Sequence, residues 1–365
     1  MSRVFLSLLL CLCLLLPLAA AEETDPAEVG EIEEIDLDAA DPEADEAFDP
    51  DGDDGTVPDA AEADPNGASG PAVTTADGAF PPLNGRGFLD EGEFVFEDDE
   101  AGVWRYCSPT LRVEIFRRTQ AKPKLVWYEA EIFAAEGERF DMLPWSDTKY
   151  WTDLNYPYKI ARRHRTVFAL NSDFAHLRLS KRMTAGILVR NGEIVYSRTN
   201  RKNRSFPNYD TLALMPDGGM QVYWSNELTA REYLDLGADD VLAFGPWLIR
   251  DGELNRTALN KFGTGSAPRT AVGMAEKGHY FAIMTEGRNS RSRGTSIRFC
   301  GERLLEMGCT LAFNLDGGQS SAMVFMGRQI CLVTNDAGRR ASARKTAEIL
   351  GIGTSERVAG MDDPF

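Results

Sequence analysis

The stretch that decides the fold is Thr310–Met326, which reads TLAFNLDGGQSSAMVFM. Apolar residues lead into it at Leu311–Phe313 and out of it at Ala322–Met326, a pattern that predicts two buried strands. Between them lies the polar turn Asp316-Gly317-Gly318-Gln319-Ser320-Ser321. Because glycine lacks a Cβ, the pair Gly317-Gly318 allows positive φ and close approach of a ligand to bare backbone N–H groups. The turn is a candidate functional site, although an ordinary hairpin turn has the same chemistry.

The sequence on either side of this stretch predicts many strands and few helices. A compact apolar run at Thr166–Leu170 and a series of turn-bearing apolar pairs are typical of β-hairpins. The pairs span 187–196, 211–224, 247–254 and 269–285. Helical patterns are found only at Thr229–Gly237, which opens with a capping box, and at Thr295–Met307. We therefore expect an α+β domain built on antiparallel or mixed β-sheets with few helices.

Charge divides the chain into two parts. Residues 21–100 carry a net charge of −27, whereas residues 101–365 carry +8. The acidic part has almost no aromatic residues as far as about residue 79, so it cannot bury enough apolar surface to fold. Before it, an apolar run and the small residues Ala19 and Ala21 are typical of a cleaved leader. We predict a signal peptide at 1–21, a disordered acidic linker at 22–84 and a single folded domain of the catalytic type at 85–365.

Four cysteines lie beyond the leader: Cys107, Cys300, Cys309 and Cys331. In an exported protein they could form disulfides, and four cysteines allow three pairings. They could equally be buried thiols. Their spacing fits no zinc pattern, and we expect neither a metal nor another cofactor.

Polar side chains recur where the predicted strands end, which is where a rigid scaffold presents functional groups. Two of them are the carboxylates Glu286 and Asp316, a pair that suits hydrolysis at an anomeric carbon. Arginine binds phosphate through two parallel hydrogen bonds, and arginines lie in the same loops. Arg288, Arg291 and Arg293 precede the predicted helix at 295–307, so we expect Arg288 and one of the other two to hold a phosphate.

Five motifs in order make the sequence similar to the phosphodiester glycosidase family. They are Phe168–Phe174, Phe244-Gly245-Pro246 with Asp251-Gly252, Pro268–Gly273, Thr285–Arg288 and Phe313–Gly318. The resemblance covers about 168–325, within a motif core at 166–333. Where the family usually has Asp, this chain has Glu286, and where it often has a third Gly and Thr, this chain has Gln319 and Ser320-Ser321.

The resemblance implies exo-hydrolysis of a sugar-1-phosphodiester, releasing a sugar such as N-acetylglucosamine from a phosphodiester-linked glycan or cell-wall polymer. It implies that Asp316 and Glu286 are catalytic. The expected substrate-binding residues are Asn171, Asp173, Arg269, Thr270, Arg288, Asn314, Gly317, Gly318 and Ser320. The alternative is a non-catalytic module that binds an anionic cell-wall glycan, which the +8 charge of residues 101–365 also favours.

The sequence also bears on which kinds of partner the protein has. No tight cluster of basic and aromatic residues indicates nucleic-acid binding. With the leader removed, we expect no stable membrane insertion. An exported bacterial protein, either secreted or held at the cell surface, is the prediction.

Overall fold

The computed structural model describes residues 78–146, 153–175, 178, 184–199 and 209–361, with the backbone of Ala72–Val73. The predicted signal peptide at 1–21 and residues 22–77 of the acidic linker are otherwise outside the described residues. The described end of the linker packs on the fold, since the rings of Phe80 and Phe94 are 5.7 Å apart. None of the described helices has the length and apolar character needed to cross a membrane.

The described part of the chain contains twenty-two strands, numbered here in chain order. The strands before the first motif of the sequence are β1 Ala72–Val73, β2 Glu93–Asp98, β3 Val103–Cys107, β4 Leu111–Ala121, β5 Lys124–Ala134 and β6 Asp141–Pro144. Those between residues 166 and 285 are β7 Thr166–Asn171, β8 Leu188–Arg190, β9 Glu193–Tyr196, β10 Asp210–Leu214, β11 Met220–Tyr223, β12 Asp240–Phe244, β13 Trp247–Arg250, β14 Glu253–Leu254, β15 Arg269–Glu276 and β16 His279–Thr285. The last are β17 Leu311–Asn314, β18 Met323–Phe325, β19 Arg328–Gln329, β20 Val333–Thr334, β21 Arg340–Ala341 and β22 Glu348–Thr354.

These strands form three large sheets and one small one. The ten-stranded sheet has the order β1-β2-β3-β4-β5-β16-β15-β17-β13-β14. One five-stranded sheet has the order β11-β10-β12-β8-β9, and the other has the order β19-β18-β7-β22-β6. Strands β20 and β21 pair with each other. Among the described strands only β1 and β2 pair in parallel, so the sheets are antiparallel or mixed as predicted.

Four helices of the described residues cover the outer faces of these sheets: α1 Pro157–Arg163, α2 Ala230–Asp235, α3 Arg256–Lys261 and α4 Ile297–Glu306. Helix α2 begins with the predicted capping box, in which Thr229 and Glu232 bond each other's backbone N–H groups. Helix α4 is the predicted helix at 295–307, shorter by two residues at its start and one at its end. The α+β fold class is confirmed.

The main core lies between the three large sheets. Trp104 comes from the ten-stranded sheet, Phe168 from the sheet of β7 and Leu212 from the sheet of β10, and all three are fully buried in one cluster. A second cluster packs α4 against the other face of the ten-stranded sheet. The four cysteines beyond the leader are free and buried, so the disulfide alternative is wrong and the thiols pack as small apolar groups.

Candidate functional site

The Asp316 turn is a crossover between two sheets and not a hairpin. Strand β17 enters it from the ten-stranded sheet, and β18 leaves it into the sheet of β7 and β22. A tight 3-10 turn, Gly318–Ser320, forms the bend. Gly318 has a φ of +64°, and a Cβ added to Gly317 would lie 3.1 Å from the Pro268 carbonyl oxygen. The positive φ of Gly318 favours glycine, and the absence of a side chain at Gly317 leaves room for the Pro268 carbonyl.

Asn171 fixes the turn from the end of β7. Its Nδ2 donates to the Asp316 carbonyl oxygen at 2.8 Å, and its Oδ1 accepts from the Ala322 N–H at 2.9 Å. The side chain is almost fully buried. Asn171 therefore spans the whole turn from inside, and its contacts are with the backbone of the chain.

The backbone N–H groups of the diglycine are not bare, contrary to the expectation from sequence. Gly317 N–H donates to the Asp316 carboxylate at 2.8 Å. Gly318 N–H donates to the Pro268 carbonyl at 3.0 Å. Since these two donors are already bonded within the protein, the role of the glycines is to allow the bend and the close approach of the chain at Pro268.

Three guanidinium groups surround the turn. Arg269 is buried at the start of β15, and its Nε and Nη2 donate to the carbonyls of Thr295 at 3.2 Å and Gly265 at 3.0 Å. A Cβ added to Gly317 would lie 3.5 Å from Arg269 Nη1, and one added to Gly318 would lie 3.6 Å from Arg288 Nη1. Arg269 therefore lies beside Gly317, and Arg288 lies beside Gly318.

The third guanidinium group belongs to Arg344, which the sequence analysis missed. Its backbone N–H donates to Gln319 at 3.1 Å, and its charge acts on the Asp316 carboxylate. Asp336 accepts from both Arg288 and Arg344, so it joins these two side chains. The only sequence signal was the basic run 339–345, which lies beyond the motif core.

The carboxyl group of Asp316 has a perturbed acidity. Burial raises the pKa of Asp316 to about 6, against the hydrogen bond from Ser320 and the charge of Arg344, which act in the opposite direction. The charge of Asp173 raises it further. A carboxyl group with a pKa near neutrality, beside guanidinium groups, can change its protonation state in the neutral range.

Glu286 lies in a different environment from the one expected of a group that transfers protons to a substrate. It is fully buried, and Arg291 binds both of its oxygens, with Nε at 2.7 Å from Oε2. Tyr128 Oη and the Leu332 N–H donate to Oε1 at 2.9 and 3.1 Å. Both of its oxygens therefore accept hydrogen bonds from protein donors.

Arg291, one of the two candidates for a second phosphate ligand, is already paired with Glu286. The other, Arg293, is exposed, and its backbone N–H donates to Lys124.

Asp173 lies below the turn in a buried ion pair with Arg178. The pair is at 2.9 Å, and both side chains are 1% exposed. Arg178 also donates to the Ala185 and Gly186 carbonyls. Burial raises the pKa of Asp173, with Arg178 opposing the shift. Asp173 is therefore near enough for its charge to act on Asp316, and its own ion-pair partner is Arg178.

Thr270 and Asn314 lie on neighbouring strands, β15 and β17, next to the turn. Asn314 Nδ2 donates to the Gly245 carbonyl at 2.8 Å. Thr270 Oγ1, Asn314 Oδ1 and Ser321 Oγ are buried and have no hydrogen-bond partner among the described residues. Buried polar atoms without partners are rare, and these three lie next to the candidate site.

The fold and this cluster define a β-rich protein with the Asp316 carboxylate and three guanidinium groups at a sheet-to-sheet crossover, a site suited to an anionic, hydroxyl-bearing ligand. Two of the guanidinium groups, those of Arg288 and Arg344, are bridged by Asp336. The family model for phosphodiester glycosidase matches residues 164–353. This is more than half of the chain, which belongs to the phosphodiester glycosidase family. The proteins of this family are hydrolases that act on phosphodiester glycosides.

The chain is similar to a protein of Bacillus subtilis and to a solved catalytic domain from zebrafish. The SPbeta prophage-derived uncharacterized protein YomE of Bacillus subtilis (strain 168) is 27% identical over 229 residues, which cover 60% of this chain and 34% of that protein. The match thus spans about a third of the length of this relative. The zebrafish N-acetylglucosamine-1-phosphodiester alpha-N-acetylglucosaminidase catalytic domain, solved auto-inhibited by its pro-peptide, aligns with a TM-score of 0.54. That alignment has 17% identity, covers 67% of this chain and 84% of the zebrafish chain, and shows the shared fold.

Proposed function

We propose that this chain hydrolyses a sugar-1-phosphodiester and releases the free sugar, such as N-acetylglucosamine, from a phosphodiester-linked glycan or cell-wall polymer. The bond that breaks joins the anomeric carbon to the phosphate oxygen, and water supplies the new hydroxyl group. The observation that carries the proposal is the convergence of Arg269, Arg288 and Arg344 on the Asp316 turn. Export and the cell-wall polymer itself stay predictions.

Asp316 is the catalytic residue of the proposal. With a pKa of about 6, Asp316 is ionised at neutral pH. The carboxylate can then attack the anomeric carbon or stabilise the positive charge that develops there. Arg288, with Arg269 and Arg344, would bind the phosphate oxygens through charge-assisted hydrogen bonds. Thr270, Asn314 and Ser321 lie beside this site and have buried polar atoms without partners among the described residues.

The chemistry of the leaving group explains how one carboxylate can be enough. Most glycosidases need a second carboxyl group to protonate an alcohol leaving group. Here the leaving group is a phosphate monoester, whose second pKa is about 6, so it can depart as an anion held by arginines. We therefore assign Glu286 a positioning role, which is to hold Arg291 and the loop that carries Arg288.

The test is release of free sugar from a panel of sugar-1-phosphodiesters in water labelled with oxygen-18. We expect the label at the anomeric hydroxyl of the sugar. We expect kcat to fall by roughly a hundredfold or more in Asp316→Asn, which cannot ionise. Asp217→Asn is the matched control, because Asp217 is an exposed carboxylate paired with Lys277.

Arg288→Ala tests the phosphate contact. It should lower kcat/KM on the diester by about 1.5–3 kcal/mol, as loss of a charged hydrogen bond does, and by much less on an uncharged aryl glycoside. Label recovered in the phosphate, or an Asp316→Asn enzyme as active as wild type, would overturn the proposal. A folded wild-type protein that releases no sugar but binds the polymer would favour the non-catalytic alternative.

A further inference from the structure

A basic groove lies on the ten-stranded sheet, outside the Asp316 turn. It has a volume of about 460 Å³ and lies at the outer end of the β4–β5 hairpin. Its lining residues are Arg117, Thr119, Gln120, Lys124, Leu125, Val126, Ser290 and Arg291. Three of these are cations and none is a carboxylate. The volume is within the range of ligand sites in proteins.

Two of the three cations keep their charge free of a bonded carboxylate. Lys124 Nζ donates to the Ser290 carbonyl at 3.1 Å. Arg117 donates to the backbone carbonyls of Asp99 and Glu100, both at 2.8 Å. The Asp99 carboxylate itself is bound by Arg328 at 2.6 Å. Backbone carbonyls orient a cation but do not cancel its charge, so the groove attracts anions.

One loop connects the groove to the candidate active site. Arg288 lies beside Gly318, and Ser290 and Arg291, two and three positions further on, line the groove. Three residues span at most roughly 11 Å of extended chain, so the two sites lie on either side of a single loop.

This loop is fixed to the β4–β5 hairpin. Ser292 Oγ accepts from the Val126 N–H at 3.1 Å and donates to the Glu286 carbonyl at 2.8 Å. Arg293 N–H donates to the Lys124 carbonyl at 3.1 Å. The groove is therefore a built feature whose position relative to Arg288 is set by hydrogen bonds.

We propose that the groove binds the next phosphate-bearing units of a polyanionic, phosphodiester-linked glycan whose terminal sugar phosphate lies at Asp316. This inference rests on the proposed function. Arg117 and Lys124 bind a phosphate of the chain, and Thr119, Gln120 and Ser290 offer polar groups to its sugar or polyol hydroxyls. The groove thus makes the protein prefer the end of a polymer over an isolated diester.

The experiment compares wild type with the double variant Arg117→Gln/Lys124→Gln. Its matched control is Arg231→Gln/Lys277→Gln, which removes two exposed cations elsewhere on the surface. Each protein is given a monomeric N-acetylglucosamine-1-phosphodiester and a synthetic oligomer of the same linkage, at low and high salt. We expect the double variant to raise KM for the oligomer by roughly tenfold or more at low salt, with KM for the monomer unchanged. High salt should remove most of the difference.

A binding measurement keeps this test separate from the test of the activity. Fluorescence anisotropy with a labelled oligomer reports the groove even if no sugar is released. Weaker binding by the double variant alone supports the groove proposal in that case, while the proposed function fails. Equal oligomer binding by the double variant and its control would overturn the proposal. So would equal affinity for single-stranded DNA of the same charge, because the groove would then be a general polyanion site.

Discussion

Two buried glutamates that pair with arginine should respond to the same substitution with opposite signs. Arg190, on β8, and Glu348, on β22, join the two five-stranded sheets through a contact of 2.6 Å, with side chains 9% and 1% exposed. This is a poor pair, because Arg190 Nε and Glu348 Oε1 are buried without partners among the described residues. Burial raises the pKa of Glu348 to about 7 against the opposing charge of Arg190.

The magnitude for Glu348 follows from this pKa. A glutamate carboxyl has an ordinary value of 4.5, so the folded protein holds this proton more tightly than the unfolded chain does. The stability that the proton contributes is present below about pH 4.5 and is lost as the pH rises through about 7. At about 1.4 kcal/mol per pKa unit the loss is about 3 kcal/mol. Glu348→Gln resembles the protonated side chain, so it should be nearly neutral at about pH 5 and stabilising by about 2–3 kcal/mol at about pH 8.

Glu129 is the matched control. It is 5% exposed and receives Arg303 Nε at 2.5 Å, Trp127 Nε1 at 2.7 Å and Arg118 Nε at 3.2 Å. Burial alone would raise its pKa, but these hydrogen bonds outweigh burial and lower it. Glu129 therefore contributes stability above its ordinary pKa that is lost at acidic pH. Glu129→Gln should destabilise by roughly 1.5–3 kcal/mol at about pH 8, because it loses charge-assisted hydrogen bonds while Arg303 stays partly solvated, and by less at about pH 4.

Urea unfolding of both variants and wild type, at about pH 5 and about pH 8, measures these changes as shifts of the midpoint at constant m-value. The critical result is the sign at the higher pH. If Glu348→Gln is destabilised there by as much as Glu129→Gln, then the orphaned atoms do not weaken the Arg190–Glu348 pair, and the reasoning from burial fails.

Two further substitutions test the scaffold of the site. Asn171→Ala leaves the Asp316 carbonyl and the buried Ala322 N–H without partners, so it should cost about 2–5 kcal/mol in urea unfolding and lower kcat; full activity would show that the turn holds its shape without this clamp. Gly353→Ala should cost about 2–4 kcal/mol, seen as a lower Tm, because Gly353 has a φ of +76° and an added Cβ would lie 2.2 Å from a Leu111 methyl carbon. An unchanged Tm would mean that β22 shifts freely at this point.

Local patterns predicted much of the fold. The turn Asn191-Gly192 does join β8 to β9, and the capping box at Thr229 does open α2. Both signals involve residues within a few positions of each other, so they can be recognised from the sequence alone. Helices α1 and α3, of seven and six residues, are too short for a clear periodic pattern and were not predicted.

Partners distant in sequence were not predictable in the same way. Nothing near Glu286 indicates that Tyr128, 158 positions away, donates to its carboxylate. Asp173 and Arg178 are close in sequence, but the sequence does not show that both are buried and therefore paired with each other. Likewise, the apolar runs around Asp316 predicted two strands but not that they belong to different sheets.

The crossover at Asp316 has a consequence for how this fold can diversify. The Asp316 turn lies on the seam between two sheets. Asn171, at the end of β7, donates to the Asp316 backbone carbonyl, and Arg269, at the start of β15, lies beside Gly317. The outer strands β1 and β14 are at the far ends of the ten-stranded sheet, so loops there can lengthen, or acquire further modules, without moving the seam. Conversely, a change that slides one sheet against the other by a single residue would separate Asn171 from Arg269. Variation in this architecture should therefore accumulate at the rims of the sheets while the seam stays fixed.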